Sequence, residues 1–310
     1  MNVLITGGNG YIGGRLANYL SRFETNKLFL SSRKNINFYN KKIKSRKINW
    51  NNTNDILNSC SNMDVVIHLA GMNAQTCLKY PDEAKIFNVQ NTLNLFESAT
   101  RYNIKKFIFL SSIHVYGDNL VSKINEDCLK KPVGPYAHTK SLAEDKLLKL
   151  NEKSKLDLFL LRLSNVFGPP RNNLSECWSL VFNDFTNQAM RTGNILVKSN
   201  GTQMRDFMTM TDFCRSINHI ISNFDSSIKY NIFNIGGNKT LKISDVANII
   251  KSRSKRFLKN VKINYASSVS NNNEIVFDYD ISRFFSTDFK LKKDFTEELD
   301  ELLQYVKNNF

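Results

Sequence analysis

The chain has 310 residues, of which 41% are hydrophobic and 23% are charged, a composition typical of a globular protein with a buried core. No apolar run approaches the length that spans a bilayer, and residues 3–6 read as a strand rather than as part of a signal peptide. Five widely spaced cysteines without a CxxC pair, and four histidines without metal-ligand spacing, argue against a disulfide framework and a metal site. We therefore expect a cytoplasmic protein with reduced thiols that binds neither a membrane nor a metal.

The net charge is strongly positive, because 43 Lys and Arg residues outnumber 28 Asp and Glu residues, which gives +15. Such a charge can indicate a nucleic-acid partner. The basic residues are dispersed, however, and the two denser runs, 41–47 and 251–259, lack the paired aromatic residues of a base-stacking surface. We expect a phosphate-bearing small ligand rather than a nucleic acid.

The first half of the chain alternates strand patterns and helix patterns. Short apolar runs predict strands at residues 3–6, 28–31, 65–69, 106–110 and 158–163. Helical patterns lie between them, at residues 11–22, 81–102 and 136–150. This alternation predicts an α/β fold, a Rossmann-type doubly wound parallel sheet whose strands are buried on both faces.

The alternation ends after Gly168-Pro169-Pro170, where the segments become polar or punctuated by glycine. We predict a smaller C-terminal region that binds substrate against the carboxyl edge of the sheet. The expected NAD(P)-binding Rossmann domain covers residues 1–165, with residues 205–233 returning to it. The expected substrate-binding region covers residues 166–204 and 234–310.

A glycine-rich loop joins the first predicted strand to the first predicted helix. Gly7, Gly10 and Gly13 satisfy the pattern GxxGxxG, and Gly8 completes an overlapping GxGxxG. Glycine lets the backbone approach a pyrophosphate closely, and the N–H groups of the following helix N-terminus can bind it. Position and flanks favour a nicotinamide dinucleotide site over an ordinary glycine-rich turn.

The end of the second strand usually selects between the two nicotinamide cofactors. An acidic residue there binds the ribose 2′-hydroxyl, whereas a nearby Arg accommodates a 2′-phosphate. This strand ends at Ser32 and Arg33, and no acidic residue follows Glu24 until Asp55. NADP(H) is therefore favoured, although NAD(H) stays open because Arg33 can also be a solvated surface charge.

Tyr136 and Lys140 form a YxxxK pair on the third predicted helix, with Ser112 at the end of the strand before it. The spacing places Tyr136 and Lys140 on one helical face, where the ammonium should lower the pKa of the phenol. Strand carboxyl ends are the ligand-binding edge of this fold, so Ser112 can hydrogen-bond the reacting oxygen. The three residues suit general acid–base work at a carbinol or carbonyl oxygen.

Together these motifs resemble the extended short-chain dehydrogenase/reductases, in particular the nucleotide-sugar epimerase/dehydratase family, over nearly the whole chain. The matching pieces beyond the glycine loop are short motifs spread along the sequence: His68-Leu69-Ala70-Gly71, Asn88, Ser111-Ser112, Val115-Tyr116-Gly117, Tyr136 to Lys140, residues 162–168 and Arg205-Asp206-Phe207.

The resemblance implies a role for each matching residue. Tyr136 is the acid or base, Lys140 binds the nicotinamide ribose and tunes Tyr136, and Ser112 orients the substrate oxygen. On the substrate side, Asn165 contacts the diphosphate and Arg205 grips a phosphate, and His114 is a further candidate. The expected cofactor contacts are Gly7, Gly10, Tyr11, Ile12, Gly13, Ser32, Arg33, Leu69, Ala70, Gly71, Asn88, Ser111, Tyr136, Lys140 and Val166.

Two departures from the family pattern bear on the reaction. Sugar 4,6-dehydratases of the family carry an acid or an acid pair directly after the catalytic Ser or Thr, where this chain has Ile113 and His114. Many relatives also place a phosphate-binding Arg shortly before a segment that is here Asp280 to Arg283, whereas this chain has Glu274 or Ile275 in that region. The first departure argues against a dehydratase, and the second leaves the nucleotide open.

We therefore expect an NAD(P)-dependent oxidoreductase that reduces a keto-sugar nucleotide, with Tyr136 as the proton donor. A 4-epimerase with resident NAD is the alternative. A third hypothesis, motivated by the charge of +15, is a non-catalytic RNA-binding or sensor member of the family. The presence of both Tyr136 and Lys140 argues against this hypothesis. Relatives pair through two helices each, which implies a homodimer through residues 81–102 and 136–150.

Overall fold

The computed structural model describes residues 1–32, 41–118, 120, 122–172, 175–225, 227–258, 260–266 and 277–310. The chain divides into two compact units. The first consists of Met1–Asn119, Glu126–Leu163 and Ile217–Asn234, and the second of Leu120–Asn125, Ser164–Ser216 and Ile235–Phe310. Among the described residues, no helix combines the length and the apolar character that crossing a membrane requires.

The strands, in chain order, are β1 (Asn2–Thr6), β2 (Lys27–Ser32), β3 (Ile43–Lys47), β4 (Val65–His68), β5 (Lys106–Ser112), β6 (Ser122–Ile124), β7 (Asp157–Leu163), β8 (Asn165–Phe167), β9 (Asn194–Val197), β10 (Met204–Thr209), β11 (Ile232–Ile235), β12 (Thr240–Lys242), β13 (Lys262–Tyr265) and β14 (Phe277–Tyr279). The α-helices are α1 (Tyr11–Leu20), α2 (Thr53–Leu57), α3 (Ala74–Lys79), α4 (Pro81–Lys85), α5 (Asn91–Arg101), α6 (Gly134–Asn151), α7 (Val181–Thr192), α8 (Met210–Asn223), α9 (Ile243–Ser254), α10 (Ser282–Phe285) and α11 (Phe295–Asn309).

The main sheet has seven strands in the order β11-β7-β5-β4-β1-β2-β3. From β3 to β7, all neighbouring strands pair in parallel. The chain builds the sheet outward from β1 toward β3 on one side and from β4 toward β11 on the other, so the strand order reverses between β1 and β4. A reversal of this kind leaves a crevice at the carboxyl ends of the two strands, and that crevice is where ligands bind in doubly wound sheets.

The core of the first unit explains why these segments become strands and helices. Leu4, Val66 and Phe107 on neighbouring strands are fully buried, and α5 adds Leu95 and Ala99 at helical spacing. Burial of each of these side chains larger than alanine contributes about 1.5–3 kcal/mol, so the short apolar strands are stable only when both faces of the sheet are covered. The sheet therefore holds the loops at its carboxyl edge on a rigid base.

The second unit has smaller sheets and its own core. A three-stranded sheet has the order β12-β10-β8, and two further pairs are β13-β9 and β14-β6. Helices α7, α9 and α11 contribute apolar residues such as Phe182, Ile250 and Leu299 to a buried cluster that includes Phe207 of β10. Asp206 lies beside Phe207 on the same strand, fully buried, so β10 carries a charged group into the unit's interior.

The fold class predicted from the sequence is confirmed, and each of the five predicted strands is present within a residue or two of its expected ends. The predicted helix at residues 81–102 is interrupted, because Ile86–Gln90 form a π-helical turn between α4 and α5. The strands β3 and β11, at the two edges of the main sheet, have no counterpart among the predicted strands. The assignment of cofactor binding to one region and substrate binding to the other stays a prediction.

Candidate active site

The glycine loop follows β1 at the point where the strand order reverses. Gly7 has φ +68°, and a Cβ there would stand 2.9 Å from the backbone nitrogen of Ala70, in the loop after β4. A Cβ at Gly13 would stand 2.2 Å from the carbonyl oxygen of Gly7. The N-cap of α1 is Gly10, which has no side chain to cap the N-terminus of the helix. The loop thus packs closely and presents the N–H groups of the helix N-terminus, an arrangement that fits a pyrophosphate.

A buried hydrogen-bonded chain fixes the loop after β4. The Thr6 hydroxyl accepts bonds from the backbone N–H groups of Leu69 and Ala70, both at 3.1 Å, and lies 2.7 Å from Nδ1 of His68. On the other side of the ring, Nε2 lies 2.9 Å from the Thr92 hydroxyl. Burial lowers the pKa of His68 to about 3, with a smaller contribution from the Lys140 charge, so the ring is neutral. His68 is therefore a positioning residue for the Leu69–Gly71 loop.

Asn88 ties this loop to α6, the helix that carries Tyr136 and Lys140. It lies in the π-helical turn and is buried, its Oδ1 accepts a hydrogen bond from the Met72 N–H at 2.7 Å, and its Nδ2 donates to the Thr139 hydroxyl at 3.1 Å. A π-turn within an α-helix often marks a functional site, because it turns side chains away from the regular helical face. Gly71 lies nearby: a Cβ there would stand 3.5 Å from Nζ of Lys140.

Ser32 and Arg33, the residues expected to choose between NAD and NADP, stand at the end of β2 and directly after it in the sequence. Ser31 on β2 accepts a hydrogen bond from the Gly7 N–H at 3.3 Å, which anchors the glycine loop to that strand. Ser32 ends β2. Arg33 lies outside the described residues, so its role in cofactor choice stays a prediction.

Tyr136, Ser112 and Lys140 come together at the carboxyl end of β5. The Tyr136 phenol is close enough to Ser112, the last residue of the strand, for the Ser112 side chain to lower its pKa. Lys140, one turn further along α6, is 5% exposed. Its ammonium donates to the Leu110 carbonyl at 2.8 Å and lies 4.7 Å from the centre of the Phe109 ring. The sequence-based grouping of these three residues is thus reproduced in space.

The charge states differ from what the sequence suggests. Spacing predicts that Lys140 lowers the pKa of the Tyr136 phenol. Burial instead raises that pKa, and the Ser112 side chain opposes the rise only in part. Burial likewise lowers the pKa of Lys140 to about 8, against the influence of the Cys77 and Glu144 charges. The reason is physical: helical spacing reports which residues are neighbours, whereas desolvation depends on what the rest of the fold places around them.

Sequence reasoning missed a buried ionic network directly behind these residues. Glu144, four residues after Lys140 on α6, is fully buried and accepts a hydrogen bond from the Ser111 hydroxyl at 2.5 Å. Arg162 of β7 donates to both Glu144 oxygens, with its Nη2 at 2.8 Å from Oε2, and to the Tyr116 hydroxyl at 2.8 Å. Lys130 adds a second cation at 3.4 Å from Glu144. The sequence held one signal of this network. Glu144 lies at helical spacing from Lys140, and Arg162 interrupts an otherwise apolar predicted strand.

His114 lies in the 3₁₀ turn Ile113–Tyr116 that follows β5. Its ring meets the Tyr136 ring edge-on, with 6.3 Å between centroids. Its Nδ1 lies 3.6 Å from Oδ1 of Asp118. Ile113, by contrast, is apolar and 3% exposed.

The expected substrate residues Asn165 and Arg205 both belong to the second unit. Asn165 begins β8 and donates through Nδ2 to the Asp206 carbonyl at 3.0 Å. Arg205 donates through Nη1 to the Met204 carbonyl at 2.8 Å. Asp206 accepts hydrogen bonds from the Ser164 hydroxyl at 2.6 Å and from the Gly237 N–H at 2.8 Å. This buried carboxylate therefore holds together the segments that carry both candidates.

The remaining expected cofactor contacts lie in separate parts of the chain. Tyr11 and Ile12 form the first turn of α1, with Tyr11 7% exposed. Val166 lies on β8 in the second unit and pairs with Met208 of β10. Contact of any of these residues with a cofactor stays a prediction.

Comparison with known proteins identifies the chain's relatives. The model of the NAD dependent epimerase/dehydratase family matches residues 3–236. Human dTDP-D-glucose 4,6-dehydratase is 26% identical over 259 residues, which cover 79% of this chain and 71% of that protein. The UDP-N-acetylglucosamine 4-epimerase of Methanobrevibacter ruminantium, solved with UDP-N-acetylmuramic acid, is 25% identical, with a TM-score of 0.83 and coverage of 100% of this chain and 99% of that one.

A second solved structure shows the same fold. The UDP-glucuronic acid 4-epimerase of Bacillus cereus, in complex with UDP-glucuronic acid and NAD, is 23% identical, with a TM-score of 0.83 and full coverage of both chains. The family match spans well over half of the sequence, including the glycine loop, Ser112, Tyr136 and Lys140. The chain belongs to the NAD dependent epimerase/dehydratase family and is an enzyme of the short-chain dehydrogenase/reductase type.

Proposed function

We propose that the protein is a nucleotide-sugar 4-epimerase that keeps its nicotinamide dinucleotide bound between turnovers. The observation that carries the proposal is the meeting of Tyr136, Ser112 and Lys140 at the carboxyl end of β5, where Ser112 influences the Tyr136 phenol and Lys140 is buried one turn away. The closely packed glycines and the uncapped N-terminus of α1 fit the cofactor's pyrophosphate. The chemistry that a bound nicotinamide supplies is reversible hydride exchange with a sugar carbon.

In this proposal the chain's own residues move the proton and hold the sugar. Tyr136 takes the proton from the sugar hydroxyl as its carbon is oxidised and gives it back when the carbon is reduced again. Ser112 hydrogen-bonds the same oxygen. Lys140 binds the ribose of the cofactor, and Asn165 and Arg205 hold the diphosphate, with the guanidinium of Arg205 suited to a phosphate.

The relatives support a sugar nucleotide and NAD. The Methanobrevibacter enzyme acts on UDP-N-acetylglucosamine, and the Bacillus enzyme was solved with UDP-glucuronic acid and NAD. Loss of water across C5–C6 needs an acid near the reacting oxygen, and Ile113 directly after Ser112 supplies none. These points favour epimerisation over dehydration.

A keto-sugar reductase that consumes NADPH is the second candidate. One observation favours it: β2 ends at Ser32, Arg33 comes next in the sequence, and no carboxylate follows until Asp55. Denaturing the purified enzyme and identifying the nucleotide released separates the two candidates. Stoichiometric NAD supports the epimerase, whereas nucleotide-free protein that oxidises NADPH with 4-keto sugar nucleotides supports the reductase and contradicts our first proposal.

Replacing Tyr136 by Phe tests the proton-transfer role directly. Removal of a positioned acid–base group typically lowers a rate by about 10²–10⁴-fold, so Tyr136→Phe should lose activity by at least about a hundredfold. UDP-sugar turnover, followed by chromatography of the product, is the measurement. Tyr80→Phe, at a Tyr that is 42% exposed, is the matched control and should keep full activity. A Tyr136→Phe enzyme with normal turnover would remove Tyr136 from the mechanism.

A further inference from the structure

A cavity of about 390 Å³ opens within the second unit, where helices α7, α9 and α11 end. We call it the basic groove, and its lining residues are Met190, Arg191, Phe257, Leu258, Val306, Lys307 and Phe310. A cavity of this size is in the range of ligand-binding pockets. None of its residues belongs to the candidate active site, so the proposed function leaves the groove without a ligand.

The basic groove carries two cations that stand over aromatic rings. The Arg191 guanidinium lies 5.4 Å from the centre of the Phe310 ring, and the Lys307 ammonium lies 5.1 Å from the centre of the Phe257 ring. Neither cation forms an ion pair with a carboxylate of any residue that the structure describes. Both side chains are exposed, so both charges are accessible to an anion from solvent.

The segment that leads into the groove is also basic. It belongs to the denser run 251–259 of the sequence, whose charge the proposed function does not use. Asp300 pairs with both Arg253 and Arg256, and one carboxylate balances only one of these two charges. Lys251 and Lys255 add to the excess. The groove therefore lies beside a strongly positive surface.

The helix dipole alone does not account for this arrangement. A cation in the last turn of a helix is stabilised by the partial negative charge there, and Arg191 and Lys307 occupy such positions on α7 and α11. The dipole does not explain the apolar side chains in the same cavity, among them the Phe310 ring, which is 54% exposed. Cations beside accessible apolar surface are suited to an amphipathic anion.

The walls of the groove distinguish between two kinds of polyanion. A nucleic acid needs open aromatic faces on which its bases stack, whereas Arg191 and Lys307 already stand over the two rings. The rest of the lining is aliphatic and consists of Met190, Leu258 and Val306. Aliphatic side chains match the boundary between headgroups and acyl chains of a bilayer. These contacts favour an anionic lipid surface over a nucleic acid.

We propose that the basic groove binds the surface of a membrane that contains anionic phospholipids. Arg191 and Lys307 contact the lipid phosphates, and the exposed Phe310 ring enters the headgroup region. Contact of this kind needs no helix that spans the bilayer. It differs from the sequence-based expectation that the protein binds no membrane, because the groove is assembled from three separate parts of the chain. The proposal does not depend on which reaction the enzyme catalyses.

Vesicle sedimentation tests the proposal. The full chain is mixed with vesicles of phosphatidylcholine alone, or with vesicles that contain phosphatidylcholine and phosphatidylglycerol in equal amounts. Each Lys or Arg near an anionic surface strengthens binding about fivefold, so we expect at least about tenfold tighter binding to the phosphatidylglycerol vesicles. Added salt should weaken this binding, because it screens exposed charges.

Paired substitutions assign the binding to the groove. Arg191→Gln/Lys307→Gln should weaken binding to the anionic vesicles by at least about tenfold, whereas Arg191→Lys/Lys307→Arg keeps both charges and should bind like the wild type. Lys44→Gln/Lys47→Gln removes the same charge from exposed positions on β3, in the other basic run, and is the matched control. It should change binding by less than about threefold. Urea denaturation should show wild-type stability for every variant, since all these side chains are exposed.

Each contrary result overturns a stated part of the proposal. Equal binding to neutral and anionic vesicles, or sedimentation with neither, overturns the anionic membrane as the partner. An equal loss of binding in the β3 control would mean that net charge alone acts, and it overturns the assignment to the groove. Single-stranded RNA that binds more tightly than the anionic vesicles, and is lost in Arg191→Gln/Lys307→Gln, would replace the membrane by a nucleic acid.

Discussion

Lys140 is 5% exposed, and its ammonium has a carbonyl oxygen and an aromatic ring as neighbours. Burial lowers its pKa from 10.5 to about 8. Below about pH 8 the folded chain keeps this charge although it is poorly solvated. The residue on which the proposed chemistry depends is therefore one that weakens the fold at neutral pH.

The pKa of Lys140 gives a prediction with a defined sign. Between about pH 8 and 10.5 the unfolded chain binds the Lys140 proton and the folded chain does not, so this group makes the free energy of unfolding rise with pH. A full shift of this size corresponds to about 3 kcal/mol. Lys140→Met should lack this rise. Urea denaturation measures the free energy of unfolding of wild type and variant at about pH 7 and about pH 10. The wild-type value minus the variant value should be larger at about pH 10.

A control on the same helix separates this effect from the general titration of a basic protein. Lys149 lies on the exposed face of α6. Lys149→Met should give the same gap from the wild type at both pH values. A gap for Lys140→Met that does not change with pH would mean that the buried ammonium is better solvated than the structure indicates.

At the residue scale the sequence predicted which candidate catalytic side chains meet, since Tyr136, Lys140 and the strand-end Ser112 are placed by local periodicity and fold class. The sequence did not predict their charge states. The direction in which the Tyr136 pKa shifts depends on burial by residues distant in the chain. The contact between Glu144 and Arg162 forms only because β7 pairs with β5. Such information exists only in the assembled structure.

The buried pair Glu144–Arg162 joins three elements, α6, β5 and β7, at the back of the candidate site. Both side chains are at most 3% exposed. Removing one partner of such a pair leaves the other as an uncompensated buried charge. The network therefore makes the position of Ser111, and with it that of the adjacent Ser112, depend on the packing of α6.

We predict that Arg162→Met destabilises the protein by about 3–5 kcal/mol, because Glu144 is left buried without its closest cation. The double variant Glu144→Leu/Arg162→Met should recover much of this loss. Urea denaturation of both single variants and the double variant, analysed as a double-mutant cycle, measures the coupling.

The exposed pair Lys85–Asp82, with side chains 70% and 90% exposed, supplies the control. Lys85→Met should change stability by less than about 1 kcal/mol. If Arg162→Met behaves like Lys85→Met, the buried network does not stabilise this end of the sheet.

Elements differed in how well the sequence revealed them. Strands buried on both faces, such as β4 with the sequence Val-Val-Ile-His, are recognised by their continuous apolar run. The edge strand β3 reads Ile-Lys-Ser-Arg-Lys and has one buried residue, so nothing in its composition distinguishes it from a basic loop. The π-helical turn at Ile86–Gln90 is set by packing and the contacts of Asn88, and hydrophobic periodicity does not report it.

At the scale of the whole molecule, the resemblance to the family implied a homodimer through two helical segments. The structure leaves apolar side chains exposed on those segments, with Ile86 59% and Leu142 42% exposed. A groove of about 310 Å³ between α4 and α6, lined by Pro81, Pro135 and Leu142 among others, lies on the same face. These features support the homodimer as a proposal.

We predict that Leu142→Glu makes the protein monomeric, because a carboxylate in an apolar interface must be desolvated without a partner. Light scattering coupled to size-exclusion chromatography is the measurement. Leu196→Glu, at a leucine of β9 that is 45% exposed, is the matched control and should leave the mass unchanged. A wild-type protein that is already monomeric would refute the prediction.

The interleaving of the two units along the chain has a consequence for biosynthesis. The chain leaves the first unit after Leu163, builds Ser164–Ser216 of the second, and returns with Ile217–Asn234. Strand β11, which pairs next to β7, therefore leaves the ribosome some seventy residues after its neighbour. Until then the nascent sheet carries an open edge at β7, whose residues Leu158–Leu163 are almost entirely apolar. Chaperone binding during translation should concentrate on this interval.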